Sequence, residues 1–316
     1  MKVGINALTA TFVVGVIAGL ALTPDGREWM RHPTLLLGGQ ASASAPPSAE
    51  AETKAAPVVV APPVAPVAAP VAVTPLAGRL ARGTLRIGVF GDSMADGLYA
   101  GLYRDLQGQP NVSVTKFSQV STGLSRYDYV DIQAKTRGQL DNQPVDVAVV
   151  LFGTNDAQGI SMDGVVHAFG SDGWKAAYAQ RITDLVTLLR SRDVAVYWVG
   201  LPRMKRESFD GRMTLINSVV SERMRALGVP YIETTSLTSN AEGGYEAYLP
   251  NDAGRRTLMR AHDGIHMSMA GYLRMSAPVA ERLKRDAGLL SPAHPGESRD
   301  PVLSSRASAS QDNGGR

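Results

Sequence analysis

Between residues 84 and 290, short aliphatic runs alternate with helical repeats. Leu85, Ile87 and Val89 occupy every second position and predict a strand. Leu98, Leu102 and Leu106 follow at four-residue spacing and predict a helix. Val112, Val114 and Phe117 suggest a second strand, and residues 145–151 are nearly all aliphatic, as in a strand covered on both faces. Tyr178, Ile182, Leu185, Val186 and Leu189 form a helical stripe before another apolar run at 194–199. Ile216, Val220, Met224 and Leu227 form the next stripe, residues 229–232 read as a strand, and a helix over 272–283 closes the series. Strand and helix in this alternation imply an α/β domain, a parallel sheet with helices on both faces. There is no internal repeat.

Aromatic residues mark the same limits. Of 19, all but Phe12 and Trp29 lie between Phe90 and Tyr272. Residues 41–75 contain 12 Ala and 8 Pro and no aromatic, too little bulk to offset the entropy of ordering. The segment 24–83 is therefore expected to be a disordered Ala/Pro-rich linker, its 35 most Ala/Pro-rich residues spanning roughly 110 Å if extended. The tail 291–316 is expected to be disordered too. Residues 3–22 carry no charge and, as a helix, just reach across a bilayer core of about 30 Å. The competing reading of 1–23 is a cleaved signal peptide, with Gly19-x-Ala21 a poor cleavage site. Length favours an anchor in an inner membrane, with the domain in the envelope.

With 44% hydrophobic residues the chain can bury a core, and 32 basic against 29 acidic residues leave a net charge of only +3. No Lys/Arg run points to nucleic acid. The absence of cysteine excludes disulfide scaffolds, thiolate metal sites and cysteine nucleophiles.

In parallel α/β sheets, ligands bind at the carboxyl ends of the strands. Gly91-Asp92-Ser93-Met94 ends the first strand, Ser121-Thr122-Gly123-Leu124 follows the second, Gly153-Thr154-Asn155-Asp156 ends the aliphatic strand, and Asp263-Gly264-Ile265-His266 precedes the last helix. A serine hydroxyl needs a base to become a nucleophile; His266 can be that base, and Asp263 is near enough to orient it. The backbone N–H groups of Ser93 and Gly123 and the Asn155 amide could serve as oxyanion donors. Each motif alone also reads as a turn or helix cap; their order and their common place at strand ends favour a site.

These four blocks resemble the SGNH, or GDSL, hydrolase family, whose order is Ser, Gly, Asn, then Asp-x-x-His. The resemblance spans roughly 84–290 and implies a three-layer, flavodoxin-like α/β/α fold, no required cofactor, and ester hydrolysis or acyl transfer. It implies that Ser93 is the nucleophile, Asp263 and His266 complete a triad, and Gly123 and Asn155 join Ser93 in the oxyanion hole. The phrases Ser121-Thr122-Gly123-Leu124-Ser125-Arg126, Phe152-Gly153-Thr154-Asn155-Asp156-Ala157-Gln158 and Gly200-Leu201-Pro202 are similar to an envelope-associated bacterial branch of that family. Met94 stands where many members have Leu.

Asp156, Gln158, Arg126 and Asp128 are expected substrate contacts. The long connections 157–172 and 234–261 are expected to shape the substrate site, with Tyr245 and Tyr248 offering faces to a sugar. A metal reading of His262, Asp263, His266 and His167 is weaker, because the triad already explains Asp263 and His266. The expected partner is an acylated small molecule or envelope glycan. The expected activity is a serine esterase. An O-acyltransferase with the same triad is the nearest alternative, and an inactive glycan-binding or tethering module is the alternative of another class.

Overall fold

The computed structural model describes residues 72–290. The expected anchor or signal segment, most of the linker and the tail lie outside the described residues. Among those described, no helix is long and apolar enough to cross a membrane.

The elements run α1 (Leu76–Ala81), β1 (Leu85–Gly91), α2 (Ser93–Leu106), β2 (Val112–Lys116), α3 (Ile132–Asn142), β3 (Val147–Leu151), β4 (Ile160–Met162), β5 (Val165–His167), α4 (Asp172–Ser191), β6 (Ala195–Val199), α5 (Glu207–Leu227), β7 (Tyr231–Ile232), β8 (Tyr248–Pro250), β9 (Arg256–Leu258) and α6 (Met269–Asp286). Five strands form a parallel sheet in the order β2-β1-β3-β6-β7. This is the flavodoxin-like order, with the topological switch between β1 and β3. Helices α2 and α6 pack together on one face, while α3, α4 and α5 pack along the other. The expected three-layer architecture is thus present. β3 and β6 are buried at every position, which explains their unbroken aliphatic and aromatic sequence.

The pairing of α2 with α6 matters most for the site. Met94, Leu98, Leu102 and Leu106 bury one stripe of α2. Gly97 and Gly101 lie one turn apart. A Cβ on Gly97 would stand 2.0 Å from the Tyr272 ring, and one on Gly101 would stand 2.5 Å from Ser276 Oγ. Their lack of side chains lets α6 approach closely. The helix that begins just after His266 is thereby packed against the helix that begins with Ser93.

The fold also extends beyond the expected boundary at 84. Leu76 is buried, and Arg79 donates from Nη2 to Asp193 Oδ1 at 2.8 Å and from Nε to Thr74 O at 2.8 Å. The end of the assigned linker therefore packs as part of the domain.

Candidate active site

Ser93 is the first residue of α2, and Asp92 is its N-cap, accepting from Met94 N at 2.9 Å. N–H groups in a helix's first turn lack intrahelical acceptors, so that of Ser93 is suited to an external one. Ser93 Oγ lies 2.8 Å from His266 Nε2, and His266 Nδ1 lies 2.6 Å from Asp263 Oδ2. The second carboxylate oxygen, Asp263 Oδ1, accepts from Ile265 N and His266 N, both at 2.9 Å. Burial alone would raise the Asp263 pKa, but the hydrogen bonds from the His266 ring and these two N–H groups lower it to about 2. The ionised carboxylate holds the proton on Nδ1 and leaves the Nε2 lone pair for the Ser93 hydroxyl. The structure brings together the three residues the sequence singled out, 173 positions apart at the extreme.

Two buried carboxylates tie together the ends of β1 and β3 and the loop carrying Gly123. Asp92 Oδ2 accepts from Thr154 Oγ1 at 2.7 Å, Thr154 N at 3.2 Å and Gly153 N at 3.3 Å, joining the ends of β1 and β3. Burial raises its pKa to about 6, against the lowering effect of those hydrogen bonds. Asp156 Oδ1 accepts from Ser125 N at 2.8 Å and Ser125 Oγ at 2.9 Å, and Oδ2 accepts from Tyr178 Oη at 2.8 Å. Burial raises its pKa as well. Asp156 thus joins the end of β3 to the loop carrying Gly123. That loop comes so close that a Cβ on Gly123 would stand 2.3 Å from Asp156 Oδ1. Asn155 closes the arrangement by donating from Nδ2 to Thr122 O at 2.9 Å. One amide hydrogen is used there, and the other has no protein acceptor among the described residues.

The expected substrate contacts fare less well. Asp156 is fully buried with its oxygens engaged, so it braces the site and cannot meet substrate. Gln158 is exposed and donates to Asn155 O at 3.0 Å. Arg126 donates to Ser121 O at 2.9 Å and lies over the Tyr129 ring. Both brace the loops carrying Gly123 and Asn155 from the rim, and Asp128 is exposed nearby in sequence. Of the two tyrosines, Tyr245 turns its ring toward the Arg260 guanidinium, 5.1 Å away, so that face is taken, while Tyr248 is exposed beside Arg256. Each long connection contains a short antiparallel hairpin, β4–β5 in the first and β8–β9 in the second. His167 lies on β5, and no cluster of three His, Asp or Glu suited to a metal occurs among the described residues. Sequence reasoning missed the tying role of Asp92, which it read only as a cap. It also missed Arg260 and Tyr178, whose partners are set by tertiary packing.

Among known proteins, the family described as "Protein of unknown function (DUF459)" matches residues 86–282. No curated protein matches. Among solved structures the chain is similar to a GDSL-like lipase from Bacteroides thetaiotaomicron, at 13% identity, 63% of this chain, 88% of that one and a TM-score of 0.45. It is similar to an acetyl-xylooligosaccharide esterase from Geobacillus at 15% identity, 65% and 95% coverage, and a TM-score of 0.45. A psychrotrophic esterase from Pseudoalteromonas is similar at 9% identity, 63% and 97% coverage, and a TM-score of 0.43. At these identities and scores the likeness says nothing of activity. The DUF459 match spans the stretch that carries all four blocks, and the chain belongs to that family.

Proposed function

We propose that the protein is a serine esterase acting on O-acyl groups. The observation that carries this reading is the continuous hydrogen-bonded chain from Ser93 Oγ through His266 to Asp263. As Ser93 Oγ bonds to the acyl carbon, its proton passes to His266 Nε2. The carbonyl oxygen becomes an oxyanion facing Ser93 N–H, Gly123 N–H and the Asn155 amide. Collapse expels the alcohol, which takes the proton from His266 and leaves acyl-Ser93. Water then attacks, again giving its proton to His266, and the acid departs as Ser93 regains its hydrogen. Asp263 stays ionised and stabilises the imidazolium in both halves.

Placement in the envelope rests on the uncharged segment 3–22 and the Ala/Pro-rich stretch after it, which together suit a tethered domain working on an acylated envelope glycan. The test incubates the full chain and a Ser93→Ala variant with short p-nitrophenyl esters and O-acetylated glycans. Release of free acid by the wild type alone supports the esterase. Appearance of the acyl group on an added sugar, without free acid, would replace hydrolysis by transfer. Equal inertness of both proteins toward every ester would reject the reading.

A further inference from the structure

The catalytic His lies on a tight loop. Arg260 and Met267 form an antiparallel bridge, and Ala261 N donates to His266 O at 2.8 Å, closing residues 261–266 into a turn-like segment. Beneath it lies the Arg260 side chain, 1% exposed. Its partners are carbonyls, thioethers and the Tyr245 ring, 5.1 Å away, rather than a carboxylate. Nη2 donates to Ile265 O at 3.0 Å and to Gly264 O at 3.4 Å, while Met204 and Met267 sulfurs flank the guanidinium. Nε is buried without a partner. A buried cation so paired is costly, and a residue serving only to fill space would do so better as Met or Leu.

The two carbonyls it grips are informative. Gly264 O shares a peptide unit with Ile265 N, and Ile265 O shares one with His266 N. Those are the two N–H groups that hold Asp263 Oδ1. In a trans peptide the C=O and N–H point to opposite sides of one rigid plane. Anchoring both oxygens, Ile265 O by Arg260 and Gly264 O by Arg260 together with Lys205 N at 3.0 Å, therefore aims both hydrogens at Asp263. The positive charge also polarises both amides in the direction that strengthens their bonds to the carboxylate.

We propose that Arg260 is the positioning residue of the triad, acting through the peptide units 264–265 and 265–266 to fix Asp263 and, through it, His266. The inference rests on reading Ser93, His266 and Asp263 as a working triad. Arg260 touches no reacting atom, so its loss should lower kcat and spare KM.

The test is a double-mutant cycle in the full chain with an activated ester. Arg260→Met should lower kcat about 10²-fold with KM within about twofold, the scale expected for misplacing a catalytic group by about 1 Å. In an Asp263→Ala background the same change should lower kcat less than about threefold, because the group it positions is gone. Arg260→Lys keeps the charge but reaches one carbonyl poorly, so it should recover part of the loss. A merely structural Arg260 would give equal losses in both backgrounds, measured well below the melting temperature, and that result would overturn the proposal. So would failure of both position-260 variants to fold. An inert wild type would instead remove the triad reading itself, independently of position 260.

Discussion

Replacing Asn155 by Ala separates an oxyanion donor from a structural amide. Its Nδ2 bonds to Thr122 O at 2.9 Å, so the change removes one hydrogen bond and leaves the carbonyl of a buried residue without its donor. A net hydrogen bond is worth about 0.5–1.5 kcal/mol and an unsatisfied buried group costs about 1–3 kcal/mol. Asn155 is only partly buried, which lets water replace some of the loss, so a structural cost of about 1–2 kcal/mol follows. For a domain of this size that is roughly 2–8 °C in melting temperature. The chemical cost is larger. Removing one oxyanion donor lowers kcat by about 10²–10³, or roughly 2.7–4 kcal/mol. The interaction grows as charge develops on the substrate, so KM should change little. Calorimetry paired with kcat on p-nitrophenyl acetate should show a folded variant, a few degrees less stable, with kcat down at least tenfold. A variant several degrees less stable but with wild-type kcat would make Asn155 a structural tie and refute the three-donor hole.

Asp156→Ala should lower both stability and kcat, because Ser125 and Tyr178 lose a buried acceptor worth about 1–3 kcal/mol each. A raised KM with an unchanged melting temperature would restore Asp156 as a substrate contact. Asp263 has a folded pKa of about 2, below its ordinary 3.8, so it adds stability that is present above about pH 4 and lost as pH falls through 2. The melting-temperature gap between wild type and Asp263→Asn should therefore close between pH 5 and pH 2, and a constant gap would contradict the assignment. Leu76→Ala in the full chain should cost about 2–3 kcal/mol, since Leu76 is 4% exposed against the domain core. An unchanged melting temperature would return α1 to the linker.

The strands and long helices were legible because each buries a face deep enough to impose its period. Leu98, Leu102 and Leu106 on α2 and the all-buried β3 are examples. Helix α3 was not legible. It buries only Ile132, Thr136 and Leu140, and a threonine at the middle of the row hides the stripe. The hairpins β4–β5 and β8–β9 have three-residue strands, too short for a two-residue period to register. Ser93, Asp263 and His266 could be named from the chain because their chemistry is stated by residue type and order. Asp156 was misjudged because its burial depends on Ser125, 31 positions before it, and Tyr178, 22 after it. Arg260 was silent for the same reason: Met204, 56 positions before it, meets it only once the loop after β6 packs on the loop carrying His266, where Lys205 N donates to Gly264 O at 3.0 Å.

The proposed esterase reaction requires covalent acylation of Ser93 with His266 as the base. The most direct measurement is intact-protein and peptide mass spectrometry of the full chain after brief exposure to p-nitrophenyl acetate, quenched in acid. The wild type should carry one added acetyl group, located on Ser93. Ser93→Ala should carry none, and His266→Ala should acylate at least about a thousandfold more slowly. Turnover of the ester by the wild type with no acyl group on Ser93, or equally fast acylation of the His266→Ala variant, would rule out the acyl-Ser93 route.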